Sequence, residues 1–260
     1  MITLNGTPVE IGNFPDGTIL MKYDYSTYSG EQIVWKYEND REFLALIYLV
    51  KHLNSLGYDK LELLMPYIPN ARMDRVKNTE DVFTLKYFAE LLNSLKFETV
   101  RVLDPHSSVS EALINNIYVM NPAICIMKAM LEMPRDFLMF YPDEGAMKRY
   151  SGMINLPYAF GIKKRNWETG KIEGLDVAGA VDQIAGKDIL IVDDICSRGG
   201  TFYHSAKKLK ELGANDIYLY VSHCENTILE GELLNGDLIK KVYTTDSIFT
   251  KTHEKIEVLK

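Results

Sequence analysis

The run from Ile189 to Thr201 limits most strongly what this chain can fold into. Four apolar residues are followed by two aspartates and a short loop with two glycines, and an amphipathic stretch then extends to Leu212. A short apolar run bounded by turn residues is typical of a buried strand, and the spacing after it predicts a helix over 201–212. A buried strand that leads into a helix through a tight loop is the repeating unit of a parallel α/β sheet.

The same alternation of strand-like and helix-like segments continues through the chain. Apolar spacing predicts one helix over 41–56, closed by Gly57, and another over 83–95. Buried strands are predicted at 61–65, 99–103, 137–141, 189–192 and 217–221. The pattern predicts an α/β protein with mainly parallel sheets flanked by helices.

Two tandem α/β domains fit the length of the chain. With 260 residues, of which 47% are hydrophobic, the chain can fill two cores. The Asn-Pro pair at 121–122 interrupts the pattern, so the expected domains are 1–122 and 123–260. The glycine loop occurs only in the second domain. The first domain is then expected to hold nucleotide or a neighbouring subunit, with the option that the last residues pack back on it.

Charge and cysteine content exclude several classes of protein. The chain has 29 Lys plus Arg against 36 Asp plus Glu, a net charge of -7, so we expect binding neither to nucleic acid nor to a membrane. Three scattered cysteines without a CxxC pair suit a reduced, cytoplasmic protein. The sequence contains no signal-peptide core and no apolar run near the ~20 residues of a membrane span.

The loop after the predicted strand combines groups that suit a sugar phosphate. Asp193 and Asp194 can accept hydrogen bonds from a ribose cis-diol or hold the water shell of magnesium. Gly199, Gly200 and Thr201 offer backbone N–H groups and a hydroxyl to a phosphate at the positive end of the helix. An ordinary strand-to-helix turn with an aspartate cap is the alternative. The two acids, the glycine pair and the threonine occur together in this order, which favours the phosphate site.

This run resembles the ribose-binding loop of the type I phosphoribosyltransferase superfamily. Four other segments resemble, in the same order, its ribose-phosphate diphosphokinase branch: 14–17 (FPDG), 66–75 (PYIPNARMDR), 104–107 (DPHS) and 142–149 (PDEGAMKR). The chain is identified as a short, divergent member of that family. The resemblance implies two tandem phosphoribosyltransferase-like domains. It also implies magnesium-dependent transfer of the diphosphoryl group of ATP to ribose 5-phosphate, giving AMP and 5-phosphoribosyl 1-diphosphate (PRPP).

The resemblance also implies residues for ATP and Mg²⁺. Arg72 and Asp74 resemble the family's ATP-binding segment, with Arg72 directed toward the nucleotide phosphates. His106 and Asp143 resemble positions that approach magnesium directly or through its waters, and His106 is also expected to contact ATP. A hydrogen-bonded structural histidine is the alternative for His106. Because Mg²⁺ keeps several waters, a sparse set of protein ligands suffices.

Two further segments resemble parts of the family that act on ATP. Lys163 and Arg165, in the polar stretch 161–174, resemble the catalytic basic pair of a mobile loop that closes over ATP; a solvated turn is the alternative. Phe14 and Asp16 resemble an adenine-contacting segment that family members donate across a subunit interface, although a local turn would explain them too. The resemblance therefore implies a homo-oligomer, a dimer or a hexamer.

One departure from the family affects the acceptor. The loop has Ser197 and Arg198 where the family has Asp-Thr, so a negative charge is lost and a cation is gained near the expected 5′-phosphate. Ribose 5-phosphate is the first choice of acceptor, and ADP-ribose is the alternative. The predicted ribose-phosphate site consists of Asp193, Asp194, Ser197, Arg198, Gly199, Gly200 and Thr201.

Two other functions are compatible with parts of this sequence. A phosphoribosyltransferase would use the ribose loop but leave Arg72, His106 and Asp143 without a purpose. A catalytically silent regulatory homologue would bind ligands and assemble with an active partner, but retention of four candidate site residues argues against it: Lys163, Arg165, Asp193 and Asp194. Kinases with a P-loop and dinucleotide dehydrogenases are excluded, because neither GxxxxGK[ST] nor GxGxxG is present.

Overall fold

The computed structural model describes residues 1–25, 32–134, 136–165 and 172–259, without the side chains of 163–165, 172 and 173. The chain forms two compact units, Met1–Asn121 and Pro122–Lys260. Among the described residues, no helix has the length and apolar character needed to cross a membrane.

The first unit is built on a six-stranded sheet with the order β2-β1-β5-β6-β7-β8. Strands β5 to β8 are parallel, whereas β1 runs antiparallel to both of its neighbours. A separate antiparallel hairpin is formed by β3 and β4. The elements are β1 Ile2–Leu4, β2 Thr7–Pro8, β3 Glu10–Asn13, β4 Ile19–Lys22, β5 Gln32–Trp35, α1 Arg41–Ser55, β6 Glu62–Leu64, α2 Thr84–Asn93, β7 Thr99–Leu103, α3 Ser108–Leu113 and β8 Ile117–Met120.

The second unit is built on a seven-stranded sheet with the order β11-β10-β9-β12-β13-β14-β15. All neighbours are parallel except β10 and β11, which form an antiparallel hairpin. Short 3-10 helices lie at Val181–Gln183 and Asn226–Glu230. The elements are α4 Ala123–Leu131, β9 Phe137–Tyr141, α5 Glu144–Tyr150, β10 Tyr158–Arg165, β11 Ile172–Gly179, β12 Asp188–Cys196, α6 Gly200–Glu211, β13 Ile217–Cys224, β14 Lys241–Thr244 and β15 Ile256–Val258.

The central strands of the second sheet are apolar because both of their faces are covered. In β12, Ile189 and Ile191 pack into one core cluster, and Leu190 and Val192 pack into a different one. Strand β13 is buried at every position. Near-continuous apolar runs of this kind are expected for parallel strands with helices on both faces. The predicted α/β class with mainly parallel sheets is confirmed.

The predicted end of strand β12 is wrong. Strand β12 does not end at Val192; it continues through both aspartates to Cys196, because its pairing with β13 extends to Cys196 opposite Cys224. Residues Ile256–Val258 near the end of the chain form β15. This strand pairs with β14 and completes the edge of the second sheet.

Candidate functional site

The carboxyl edge of the second sheet brings the predicted ribose-phosphate residues together. Strands β9, β10, β12 and β13 run parallel, so their carboxyl ends lie at the same edge of the sheet. Strand β9 leads into Asp143, and β12 leads into the loop 197–199. In open α/β sheets, ligands bind outside the carboxyl ends of the strands.

The loop between β12 and α6 turns through a left-handed glycine. Gly199 has φ +80, and a Cβ there would lie 2.8 Å from the side chain of Leu233. The first bond of the helix runs from the N–H of Tyr203 to the carbonyl of Gly199, at 2.9 Å. The N–H groups of residues 200–202 precede that bond and point away from the helix. Since Gly200 has open space around it, this helix start suits an anion.

A second segment, which contains Gly231 and Leu233, packs against this loop. A Cβ on Gly231 would lie 1.9 Å from the carbonyl oxygen of Arg198, so only glycine allows this approach. The Arg198 guanidinium pairs with Glu230 at 2.9 Å, and both side chains are exposed. Gly231, Glu230 and Leu233 were not predicted as site residues. The sequence around Gly231 contains no pattern that would identify the loop residue it contacts.

The aspartate pair is adjacent to the phosphate loop. Asp193 is half-buried and Asp194 is buried. The N–H of Asp194 donates to Asp193 Oδ1 at 2.9 Å. Burial, and then the charge of Asp194, raise the pKa of Asp193 well above its usual range, and the charge of Asp143 adds to this effect. Three carboxyl groups therefore lie near one another and would gain from hydroxyl donors or a cation.

Asp143 begins helix α5. Its Oδ1 accepts a hydrogen bond from the N–H of Ala146 at 3.0 Å, as an N-cap residue does. In the described part of the chain, no group of three or more His, Cys, Asp or Glu side chains could hold a metal ion. Magnesium commonly takes only one or two protein carboxylates together with waters and phosphates, so the assignment of Asp143 stays a prediction.

The predicted catalytic pair lies at the end of strand β10. The side chains of Lys163 and Arg165 are outside the described residues, as are residues 166–171, which include Gly170. The backbone of 163–165 continues β10 past Phe160, the last residue that pairs with β9. At about 3.3 Å per residue, Lys163 lies about 10 Å beyond that pair. The β10–β11 hairpin thus extends past β9 at the edge of the sheet that carries the phosphate loop.

The sequence suggested that the whole stretch 161–174 is a loop, but part of it forms strands. Strands β10 and β11 occupy both of its ends, and Lys163 pairs with Leu175. A Cβ on Gly161 would lie 2.6 Å from the carbonyl oxygen of Pro142, so the glycine permits close packing of β10 on the end of β9.

In the first unit, Arg72 and Asp74 follow β6 in the chain, and His106 follows β7. Asp74 is buried and accepts hydrogen bonds from Arg75 at 2.7 and 3.0 Å. The bonds from Arg75 act most strongly to hold the pKa of Asp74 below its usual value, with smaller effects from a Ser107 hydrogen bond and the His106 charge. Arg72 and His106 are exposed. Arg75 is therefore a partner that the sequence did not assign.

Phe14 and Asp16 lie at the tip of the β3–β4 hairpin. Asp16 Oδ1 accepts bonds from the hydroxyl of Thr18 at 2.7 Å and from its N–H at 3.0 Å, and these bonds lower the pKa of Asp16. Gly17 has φ +85, as the turn requires. These contacts form a local turn, which is the alternative that the sequence left open for Phe14 and Asp16. Phe14 is 49% exposed at this tip, and its contact with ATP stays a prediction.

Comparison with known proteins identifies the family. The ribose-phosphate pyrophosphokinase of Thermococcus kodakarensis is 30% identical over 222 residues, which are 83% of this chain and 77% of that protein. This chain belongs to the ribose-phosphate pyrophosphokinase family. The pyrophosphokinase of Pyrococcus abyssi is likewise 30% identical, over 83% of this chain and 75% of that one. No protein-family model matches the chain.

A solved pyrophosphokinase structure agrees with the fold. Phosphoribosylpyrophosphate synthetase from Mycobacterium smegmatis superimposes with a TM-score of 0.79 at 18% identity, covering 97% of this chain and 85% of that one. The predicted family, its phosphoribosyltransferase-like fold and the transferase class are therefore confirmed. The assignment of the carboxyl edge of the second sheet to a sugar phosphate stays a prediction.

Proposed function

We propose that this chain transfers the diphosphoryl group of ATP to the anomeric hydroxyl of ribose 5-phosphate, giving PRPP and AMP. The phosphate loop supports this proposal most directly: left-handed Gly199 opens α6 beside Asp193 and Asp194. The start of α6 would provide the anion site, and the two carboxylates in the same unit would accept hydrogen bonds from the sugar hydroxyls. The family of its relatives supports the same reaction.

The reaction depends on positioning and positive charge. The anomeric oxygen attacks the β-phosphorus of ATP, the bond from that phosphorus to the bridging α–β oxygen breaks, and AMP leaves with the electron pair. The hydroxyl proton passes to solvent. No covalent nucleophile on the protein is needed. The phosphate loop would hold the 5′-phosphate, the aspartate pair would hold the ring hydroxyls, and Lys163 and Arg165 would stabilise the transferring group.

Magnesium fits the carboxylates of this site. When bound, it neutralises charge on the ATP phosphates. Asp143 offers carboxylate oxygen, which Mg²⁺ prefers, and a nearby cation would offset the charges of Asp194 and Asp143, which add to burial in raising the pKa of Asp193. An imidazole is a poorer ligand for this ion, so His106 would act through water.

Ribose 5-phosphate fits the site around Arg198 better than ADP-ribose does. Glu230 already compensates the Arg198 guanidinium, which reduces its capacity to attract a second phosphate. An exposed ion pair of this kind contributes only about 0–1 kcal/mol, so the preference is modest.

Replacement of Arg198 by alanine distinguishes the two acceptors. With ribose 5-phosphate as the acceptor, we expect its KM to change by less than about threefold, since one exposed ion pair is lost. If ADP-ribose is the acceptor, its KM should rise more than about tenfold through lost charged hydrogen bonds. Steady-state kinetics with each sugar measure this, and the KM for ATP serves as the internal control. A rise of more than about tenfold in the KM for ribose 5-phosphate would contradict the first expectation, and a rise of less than about threefold in the KM for ADP-ribose would contradict the second.

One assay tests the proposed function. The protein is incubated with magnesium, ATP and either ribose 5-phosphate or ADP-ribose, and the products are identified by mass spectrometry. AMP and PRPP are expected in equal amounts with ribose 5-phosphate, and neither should form when a chelator removes magnesium or when the sugar is omitted. Absence of a diphosphorylated sugar in the complete mixture would rule the proposal out.

The protein is expected to assemble into at least a symmetric dimer. Phe14 is exposed at a hairpin tip, and its segment resembles one that family members donate to a neighbouring subunit. Sedimentation at assay concentration should show a dimer or a larger species, and Phe14→Ala should raise the KM for ATP. A strictly monomeric protein with full activity would contradict this expectation.

A further inference from the structure

Arg149 is a cation that packs beside the aspartate pair. Its Nη1 lies 3.7 Å from Asp194 Oδ2. The Asp194 side chain is only 7% exposed and that of Arg149 only 23%, so solvent screens this pair weakly. Sequence reasoning gave Arg149 no role.

The position of the Arg149 guanidinium is restricted by its own helix. It lies over the ring of Tyr150, 5.3 Å from the centroid, and that tyrosine is fully buried. Helix α5 is anchored at its start by the Asp143 cap, and it packs against β12. Arg149 is thus held by stacking and by the helix, whereas a solvated surface arginine would not be.

Asp194 needs such a partner to keep one orientation. Its neighbour Asp193 presents a second carboxyl group, and the two side chains interact directly. Two adjacent carboxyl groups in a poorly solvated setting repel each other when both are charged. A cation beside Asp194 offsets that repulsion and keeps its carboxylate in place.

We propose that Arg149 is a positioning residue for the sugar. Through Asp194 it holds the aspartate pair in the orientation that receives the ribose hydroxyls. This proposal rests on the proposed function, since it presumes that ribose 5-phosphate binds at the pair. Arg149 itself touches neither the sugar nor the reacting phosphorus.

The test compares Arg149→Gln with Lys148→Gln. Lys148 is the adjacent residue on the same helix and pairs with Glu144 at the surface, so its removal deletes the same charge without touching the aspartates. Arg149→Gln should raise the KM for ribose 5-phosphate about tenfold, the scale of coupling between contacting charged residues. Its kcat and KM for ATP should change less than about threefold. Lys148→Gln should leave all three constants near the wild-type values.

A double mutant tests the route through Asp194. In an Asp194→Asn background, Arg149→Gln should add less than about twofold to the KM, because the partner carboxylate is already gone. Full additivity of the two effects would overturn the proposal. So would equal KM values for Arg149→Gln and Lys148→Gln.

Two measurements separate failures of different origin. If the wild-type protein makes no PRPP, the proposed function fails first; if it makes PRPP and Arg149→Gln keeps its KM, only the positioning role fails. Should thermal unfolding show that Arg149→Gln is not folded, Arg149→Lys decides. The Arg149→Lys variant keeps the charge but loses the planar guanidinium. A KM for ribose 5-phosphate between the wild-type value and a tenfold increase supports the positioning role of Arg149, and an unchanged KM overturns it.

Discussion

Replacement of Gly231 by alanine should lower kcat/KM for ribose 5-phosphate about 100-fold. The added Cβ would lie 1.9 Å from the carbonyl oxygen of Arg198, which is backbone and cannot rotate away. The two segments must separate, and the phosphate loop moves with them. A displacement of about 1 Å in a positioned group can cost about 100-fold in rate. Steady-state kinetics with varied ribose 5-phosphate measure the effect.

The matched control for this variant is Gly152→Ala. A Cβ on Gly152 meets nothing within 4 Å, so the same chemical change is made without a clash. We expect near-normal kinetics for Gly152→Ala. The KM for ATP should stay within about threefold of wild type in Gly231→Ala if the damage is confined to the sugar-phosphate loop. Normal affinity of Gly231→Ala for ribose 5-phosphate would show that the loop tolerates the displacement.

Lys163→Ala and Arg165→Ala should each lower kcat by about 30- to 1000-fold. Loss of one electrostatic donor from a transition-state site costs on the order of 2–4 kcal/mol. ATP affinity should change much less, because a group that acts only in the transition state affects turnover more than ground-state binding. The backbone of this segment, still paired with β11, extends past β9 at the edge of the sheet that carries the phosphate loop, which agrees with such a role.

Lys164→Ala is the control for these two variants. It removes the same charge from the position between them, to which the family resemblance assigns no role. We expect a change in kcat of less than about threefold for Lys164→Ala, with ATP binding measured by calorimetry in all three variants. Near-normal turnover in both Lys163→Ala and Arg165→Ala would make the assignment of this segment wrong.

The elements that the sequence predicted well are those whose signal is local. Strand β9 was predicted with its observed bounds, Phe137–Tyr141, because both of its faces are covered and every residue is apolar. Helix α1 was predicted to within one residue, because its apolar spacing and the glycine after it are both short-range features. The glycine loop at 199–200 was likewise predictable, since glycine readily adopts the left-handed backbone that turns the chain there.

The tertiary structure decided which distant residues complete the site. Strand β12 continues through the aspartates because β13 pairs with it, and no residue within β12 signals that pairing. The same register places Cys196 opposite Cys224, two thiols that look unrelated in the sequence. Gly231 and Arg149 reach the site from segments far from the loop. Such contacts depend on how strands and helices pack, whereas the patterns read from sequence arise from periodicity over a few neighbouring residues.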